Sequence, residues 1–140
     1  MRKILVPFDG SENAGRAVNY AISVAKEDPQ AEIHLLQVVD PSQLATNEGF
    51  WQGSSKVTLL ADGERTLQPA LERFEGASLA YQSAIAFGSP GNEIAAYARD
   101  KGCTSIVMGS RGLSPIASFF VGSVAQRVVH LAEVPVTLVK

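Results

Sequence analysis

Short apolar runs alternate along this chain with stretches in which apolar residues recur at helical spacing. The runs have the lengths of strands and lie at 3–8, 33–39, 79–87, 105–108 and Val136–Val139. Strand and helix in alternation predict parallel strands with right-handed crossovers and helices on both faces of one sheet. Uninterrupted apolar runs such as Ile-Val-Met are typical of strands buried on both sides. The chain is therefore predicted to be an α/β protein with a single open, doubly wound parallel sheet.

The ends of the predicted helices carry local signals. Ser11 or Asn13 is predicted to cap the first helix, because short polar side chains accept bonds from unpaired N–H groups. The second long helical stretch, 57–74, contains Pro69, which is predicted to kink or break it. The helix that starts near Glu93, after a predicted turn at 88–92, should end at Gly102, since glycine suits a left-handed cap.

Composition limits the classes of function. The 140 residues suit one domain, 1–140, and no apolar run reaches the ~18 to 20 residues of a membrane span. The net charge of −2 argues against nucleic-acid binding as the main role. Cys103 is the single cysteine, which suits a reducing compartment, and is interpreted as a packed residue rather than a nucleophile. Pro7 ends the N-terminal apolar run too early for a signal peptide.

The stretch GSRGLSPIASFFVGS, residues 109–123, follows the fourth predicted strand and is the strongest candidate for a binding site. In an open parallel sheet, ligands bind beyond the carboxyl ends of the strands, where the winding reverses. If the first and fourth strands are neighbours there, Asp9 lies opposite this loop. Gly109 and Gly112 would let the loop turn back over a ligand, because no β-carbon blocks the approach of backbone N–H groups to phosphate oxygens.

The end of this stretch begins the last predicted helix, 123–132. Its free N–H groups at Gly122 and Ser123 would point at an anion, and the Ser123 hydroxyl and Arg111 would add further bonds. The same residues also fit a purely structural role, in which the glycines allow tight helix packing and Ser123 is an N-cap. Spacing by itself leaves both interpretations open.

The spacing Gly109-x2-Gly112-x9-Gly122-Ser123, between Ile-Val-Met and Val-Pro-Val, resembles the nucleotide motif of the universal stress protein family, in its ATP-binding branch. The N-terminal ILVPFDGS resembles the first strand and turn of that family, and Gly88-Ser-Pro with Glu93-Ile94 resembles the turn and helix before its fourth strand. The likeness extends along essentially the whole chain. It implies a cytoplasmic homodimer that pairs through Val136–Val139, and a sheet in the order 3-2-1-4-5.

The resemblance also implies an ATP site. Adenine would lie near Pro7, Phe8 and Val38, ribose near Asp9 and Gly109, and the phosphates along Arg111, Gly112, Gly122, Ser123 and Val124. Met108 belongs to the same implied set. Mg²⁺ would be held mainly by the phosphates, and the sequence identifies no protein ligand for it.

Several functions compete for this site. The first turn lacks G-x-G-x-x-G, and the chain lacks Gly-Lys-Ser/Thr, so neither a dinucleotide fingerprint nor a Walker motif is present. Asp9 is interpreted as a ribose ligand, with Mg²⁺ as its alternative partner, and Asp40 as a turn residue. His34 and His130 are interpreted as structural. The sequence predicts an ATP-binding regulatory protein with at most slow hydrolysis; the alternatives are a genuine ATPase or nucleotide-dependent transferase, and a nucleotide-free interaction scaffold.

Phe50 and Trp51 lie in a polar stretch that the sequence leaves ambiguous. Three roles remain open for these neighbouring aromatic residues: a lid over the ligand, a contact for a partner, or a cover for the edge of the core.

Overall fold

Helices and strands alternate as the sequence predicts in the computed structural model, which describes residues 1–44, 56–111 and 121–140. In chain order the elements are β1 (Lys3–Pro7), α1 (Glu12–Lys26), β2 (Glu32–Val39), α2 (Pro41–Leu44), α3 (Lys56–Gly76), β3 (Ala80–Phe87), α4 (Pro90–Lys101), β4 (Ser105–Gly109), α5 (Ser123–Leu131) and β5 (Val136–Val139). The described strands form one parallel sheet in the order β3-β2-β1-β4-β5. The predicted fold class and strand order are confirmed.

Alternate side chains of β1 enter two separate apolar cores, one on each face of the sheet. Ile4 and Val6 pack with residues of α1 and α3, while Leu5 packs with residues of α4 and α5. All three are essentially inaccessible to solvent. Because both faces are covered, the strands need no polar side, which explains their continuous apolar sequences.

The ends of α1 and α4 follow local sequence signals. Ser11 is the N-cap of α1, and its Oγ accepts a hydrogen bond of 3.1 Å from the N–H of Ala14. Asn13 therefore lies inside the helix and is not its cap. At the end of α4, Gly102 is left-handed with φ of 67°, as predicted. α4 begins at Pro90, so the predicted turn at 88–92 is too long; Pro90 at the first helical position has the backbone angle that a helix needs.

α3 runs from Lys56 to Gly76 without interruption at Pro69, so of the predicted kink or break, the break is wrong. Pro69 is exposed and lacks the N–H that would bond to the carbonyl of Arg65. The buried residues Leu67, Ala70 and Phe74 hold both sides of the proline on the sheet. Tertiary packing thus outweighs the local loss of one backbone hydrogen bond.

Phe50 and Trp51, for which the sequence left three roles open, lie outside the described residues. Among the described helices, none combines the length and the apolar character that a membrane crossing requires.

Candidate functional site

A crevice of about 590 Å³ opens beyond the carboxyl ends of β1, β2 and β4. β1 and β4 are neighbours in the sheet, as the position of the predicted site requires. Ten residues of the predicted ATP site line this crevice: Pro7, Phe8, Asp9, Val38, Met108, Gly109, Arg111, Gly122, Ser123 and Val124. Gly112, the eleventh, lies outside the described residues.

One part of the crevice is apolar and is formed by residues at the ends of the strands. Pro7 and Phe8 are buried, and the N–H of Phe8 donates a 2.8 Å hydrogen bond to the carbonyl of Leu36. This bond continues the pairing of β1 with β2 beyond the last residue of β1. Val38 and Met108 pack with the core beneath α4 and α5. The resulting surface offers an apolar ring a largely preformed contact.

The other part of the crevice contains the N-terminus of α5. Gly122 is the N-cap in extended conformation, with φ of −62° and ψ of 157°. Its N–H donates a 2.7 Å bond to the carbonyl of Ser110, so this N–H is not free for an anion, contrary to the expectation from sequence. Ser123 is the first helical residue, and the interpretation of its side chain as an N-cap is wrong.

Three backbone donors remain at the start of α5. The helix makes its first backbone bond at Gln126, whose N–H donates to the carbonyl of Gly122 at 2.9 Å. The N–H groups of Ser123, Val124 and Ala125 have no hydrogen-bond partner among the described residues. All three residues line the crevice. Unpaired donors at the positive end of a helix dipole form a site for an anion.

A second helix also starts at this crevice, which sequence reasoning missed. Ser89, Pro90 and Gly91 line it at the N-terminus of α4, and Ser89 makes no side-chain capping bond. The dipeptide Ser-Pro was the available signal, because proline favours the first helical position after a polar cap. The crevice therefore lies between two helix N-termini.

Asn13 supports the crevice from below and was not identified as a site residue. Its side chain is buried; Nδ2 donates a 2.9 Å bond to the carbonyl of Val139, and Oδ1 accepts a 2.7 Å bond from the N–H of Arg111. A β-carbon on Gly109 would lie 2.9 Å from Cγ of Asn13 and 3.2 Å from the carbonyl oxygen of Arg111. Gly109 is therefore required by the protein's own packing, whatever a ligand requires.

Charged groups of both signs surround the opening. Arg111 and Arg127 line it together with two carboxylates, Asp9 and Asp40. Oδ1 of Asp9 accepts a 2.9 Å bond from the N–H of Ser11. Asp40 lies at the entry to α2, a short helix that the sequence did not predict, and its Oδ1 accepts bonds from the N–H and hydroxyl of Ser42 in that helix. The described residues contain no cluster of three or more His, Cys, Asp or Glu side chains that could hold a metal ion.

The remaining candidate residues lie away from the crevice. His34 is buried in a structural network: Nδ1 is 2.9 Å from the hydroxyl of Tyr97, and Nε2 is 2.6 Å from Oε1 of Glu32. His130 is exposed on α5. Cys103 is packed in the core, and burial raises the pKa of its thiol, which disfavours the thiolate. The predictions for His34 and Cys103 are confirmed.

Comparison with known proteins gives a consistent match over the whole chain. The model of the universal stress protein family matches residues 1–140. Universal stress protein MJ0531 of Methanocaldococcus jannaschii is 35% identical over 141 residues, covering 99% of this chain and 82% of the relative. Universal stress protein YxiE of Bacillus subtilis is 30% identical over 146 residues, covering 99% of this chain and 98% of the relative.

Solved structures share the architecture. The structure of protein MJ0577 of M. jannaschii superposes with a TM-score of 0.87 at 29% identity, covering 99% of this chain and 95% of the other. A universal stress protein in complex with cAMP gives 0.73 at 23% identity, with coverage of 99% and 95%. One from Archaeoglobus fulgidus in complex with dAMP gives 0.74 at 20% identity, with coverage of 100% and 98%. The last two likenesses establish the fold.

Proposed function

The chain belongs to the universal stress protein family, and from that premise we propose that it is an ATP-binding regulatory protein of the stress response. The observation that carries the proposal is the set of three N–H groups at Ser123, Val124 and Ala125 that have no partner among the described residues, in residues that line the same crevice as an apolar surface. An adenine nucleotide has this division into an apolar ring and an anionic tail. Proteins of this fold hold cAMP and dAMP, so the architecture accommodates adenine nucleotides.

The proposed orientation follows the chemistry of the lining. Adenine lies against Pro7, Phe8 and Val38, next to Met108, and ribose lies near Asp9 and Gly109. The phosphates lie along the start of α5 with Arg111, and Gly112 completes this part of the site. Mg²⁺ would be held mainly by the phosphates and would neutralise part of their charge. The described lining offers the carboxylates of Asp9 and Asp40, and the described residues contain no cluster of three or more possible metal ligands.

Binding without rapid turnover is the second part of the proposal. Fast phosphoryl transfer needs a positioned nucleophile, charge stabilisation and a metal clamp. Asp9 and Asp40 are the acidic groups of the described lining, and Oδ1 of each already accepts hydrogen bonds within its own turn. Their positions favour ribose binding and turn formation over activation of a water molecule. We therefore propose at most slow hydrolysis.

Calorimetric titration of the purified protein with ATP and Mg²⁺ tests the proposal, together with mass spectrometry of small molecules released on denaturation. We expect saturable binding and an adenine nucleotide in the released fraction. Absence of both would support a nucleotide-free scaffold. Turnover of labelled ATP at about 1 s⁻¹ or faster, abolished by Asp9→Ala, would instead establish a genuine ATPase or transferase.

The substitution Gly122→Val tests whether ATP binds at the start of α5. The backbone of Gly122 is extended, a conformation that valine adopts readily, so the backbone itself permits the change. The added branched side chain would occupy the mouth of α5, and ATP binding should be lost while the unfolding midpoint stays similar. Gly76→Val is the matched control, because a β-carbon there meets no atom within 4 Å. Unchanged ATP affinity in folded Gly122→Val protein would contradict the proposed site.

We also propose a homodimer in the cytoplasm. β5 is an edge strand of partly exposed apolar residues, and such an edge is protected when it pairs with another strand. Pairing of Val136–Val139 with the same strand of a second copy would provide that protection. A chain with one cysteine, Cys103, also suits a reducing compartment.

A further inference from the structure

Arg127 lies at the crevice and belongs to neither the predicted site nor the orientation described above. It is one helical turn after Ser123 on α5, so the two side chains share a face of the helix. Helical side chains lean toward the N-terminus of their helix, so Arg127 lies on the side of α5 that carries Ser123 and Val124, whose N–H groups have no partner among the described residues. Arg127 lines the crevice together with these residues.

Contacts with α4 hold this arginine in place. Its Nε donates a 3.0 Å hydrogen bond to Oδ1 of Asn92 in the first turn of α4. Its aliphatic stem lies directly on Gly91, where a β-carbon would be 2.7 Å from Cβ and 2.5 Å from Cγ of Arg127. The absence of a side chain at Gly91 therefore leaves the space that the stem of Arg127 occupies. Arg127 bridges the two helix N-termini that border the crevice.

The charge of Arg127 is not neutralised within the described part of the chain. It forms no ion pair with a described carboxylate, and its Nη groups have no partner among the described residues. Arg127 is exposed, with its stem and Nε in contact with α4, and the planar Nη fork remains available for an anion. A guanidinium binds phosphate oxygens through charge-assisted bonds, often in pairs.

We propose that Arg127 binds the phosphate tail of the nucleotide and makes the crevice select ligands by their number of phosphates, with ATP bound more tightly than ADP, AMP and adenosine. This inference rests on the proposed function. All four ligands share the adenosine part, so the contribution of Arg127 grows with the negative charge of the tail. Asn92 is a positioning residue that acts through Arg127.

Calorimetric titration with ATP, ADP, AMP and adenosine tests this inference on the full chain and on Arg127→Gln. We expect the Kd for ATP to rise about tenfold in the variant, that for AMP to rise less, and that for adenosine to change by less than about twofold. The dependence of the ATP Kd on salt should also weaken. Arg127→Lys, which retains the charge, should restore part of the affinity for ATP.

Two further variants serve as controls. Arg65→Gln removes the same charge from the exposed side of α3, outside the crevice lining, and should leave every Kd unchanged. Asn92→Ala should raise the Kd for ATP by a smaller factor than Arg127→Gln and should spare adenosine. Denaturation midpoints of all variants establish that they are folded.

The possible outcomes separate this inference from the proposed function. Equal affinity of Arg127→Gln and the unsubstituted protein for ATP would overturn the role of Arg127 and leave ATP binding intact. An equal loss of affinity for adenosine and ATP would overturn it as well, because the arginine would then act on the nucleoside. Failure of the unsubstituted protein to bind any of the four ligands would overturn the proposed function itself, and the inference with it.

Discussion

The side chain of Asn13 joins three parts of the fold beneath the crevice. It lies in the first turn of α1, donates to the end of β5 at Val139 and accepts from the backbone of Arg111 after β4. The amide is buried, and both bonds are partly shielded from water. An unpaired buried donor or acceptor costs about 1–3 kcal/mol. Asn13 therefore contributes to stability and to the position at which the predicted phosphate loop begins.

Asn13→Ala should lower the free energy of unfolding by about 1–3 kcal/mol, since the Arg111 N–H loses its Asn13 acceptor and the Val139 carbonyl keeps only the donor from Ser110. It should also weaken ATP binding, because the start of the loop is no longer held to α1. Urea denaturation and calorimetric titration measure the two effects. Lys26→Ala, at an exposed position of the same helix, should change the stability by no more than about 0.5 kcal/mol. Equal effects of the two substitutions would contradict this role.

At the scale of elements, the crevice depends on how closely α4 and α5 approach. Gly91 lies buried in the first turn of α4 and lets the stem of Arg127 on α5 sit against it. The N-termini of both helices then open at the same place, and their dipoles add in favour of an anion. Neither helix forms this site by itself.

α3 shows that packing can override a local helix breaker. Pro69 occupies an exposed position of this helix, where alanine would restore the N–H that bonds to the carbonyl of Arg65. Proline in a helix interior is about 3 kcal/mol less favourable than alanine, and the greater freedom of the unfolded chain in the variant offsets about 1 kcal/mol.

Pro69→Ala should therefore raise the free energy of unfolding by about 1–2 kcal/mol, as measured by urea denaturation. Gln68→Ala, at the exposed neighbouring position, provides the control and should stay within about 0.5 kcal/mol of the unsubstituted protein. A less stable Pro69→Ala protein would indicate that the described packing of α3 requires the proline.

At the scale of the whole molecule, the sheet has two edges with different exposure. β5 is four residues long, and Val136, Leu138 and Val139 are each partly exposed on it. β3 forms the other edge and exposes polar residues, including Gln82 and Ser83, in the first half of the strand. An apolar edge is more prone to pair with another strand than a polar one. β5 is therefore the edge that we propose pairs in the dimer.

Thr137→Lys tests the proposed dimer, because the exposed side chain of Thr137 would place one lysine from each copy at the interface. We expect the dimer dissociation constant to rise at least about tenfold, as measured by sedimentation equilibrium. Ser83→Lys introduces the same charge at an exposed position of the opposite edge strand, β3, and should leave the dimer intact. Dissociation by both substitutions, or by Ser83→Lys alone, would place the interface elsewhere.

Local patterns in the sequence were sufficient to predict the described strands and the described helices other than the short α2. The apolar runs, the Ser11 cap and the left-handed Gly102 depend on residues close together in the chain, so their signals can be read directly. The helical start at Pro90 was placed too late, although Ser-Pro carried the signal. The strand order 3-2-1-4-5 came from the resemblance to a family and not from local patterns.

The sequence by itself determined that this chain forms a doubly covered parallel sheet and which residues follow its strands at one end. Only the tertiary structure decided how that end is built, because its decisive contacts join distant parts of the chain. Asn13 reaches residues 98 and 126 positions away, and Arg127 reaches Asn92 across 35 positions. Such contacts depend on where helices pack, which no local spacing encodes. For the same reason, the sequence did not reveal that the N–H of Gly122, which was expected to be free for an anion, already donates to the carbonyl of Ser110.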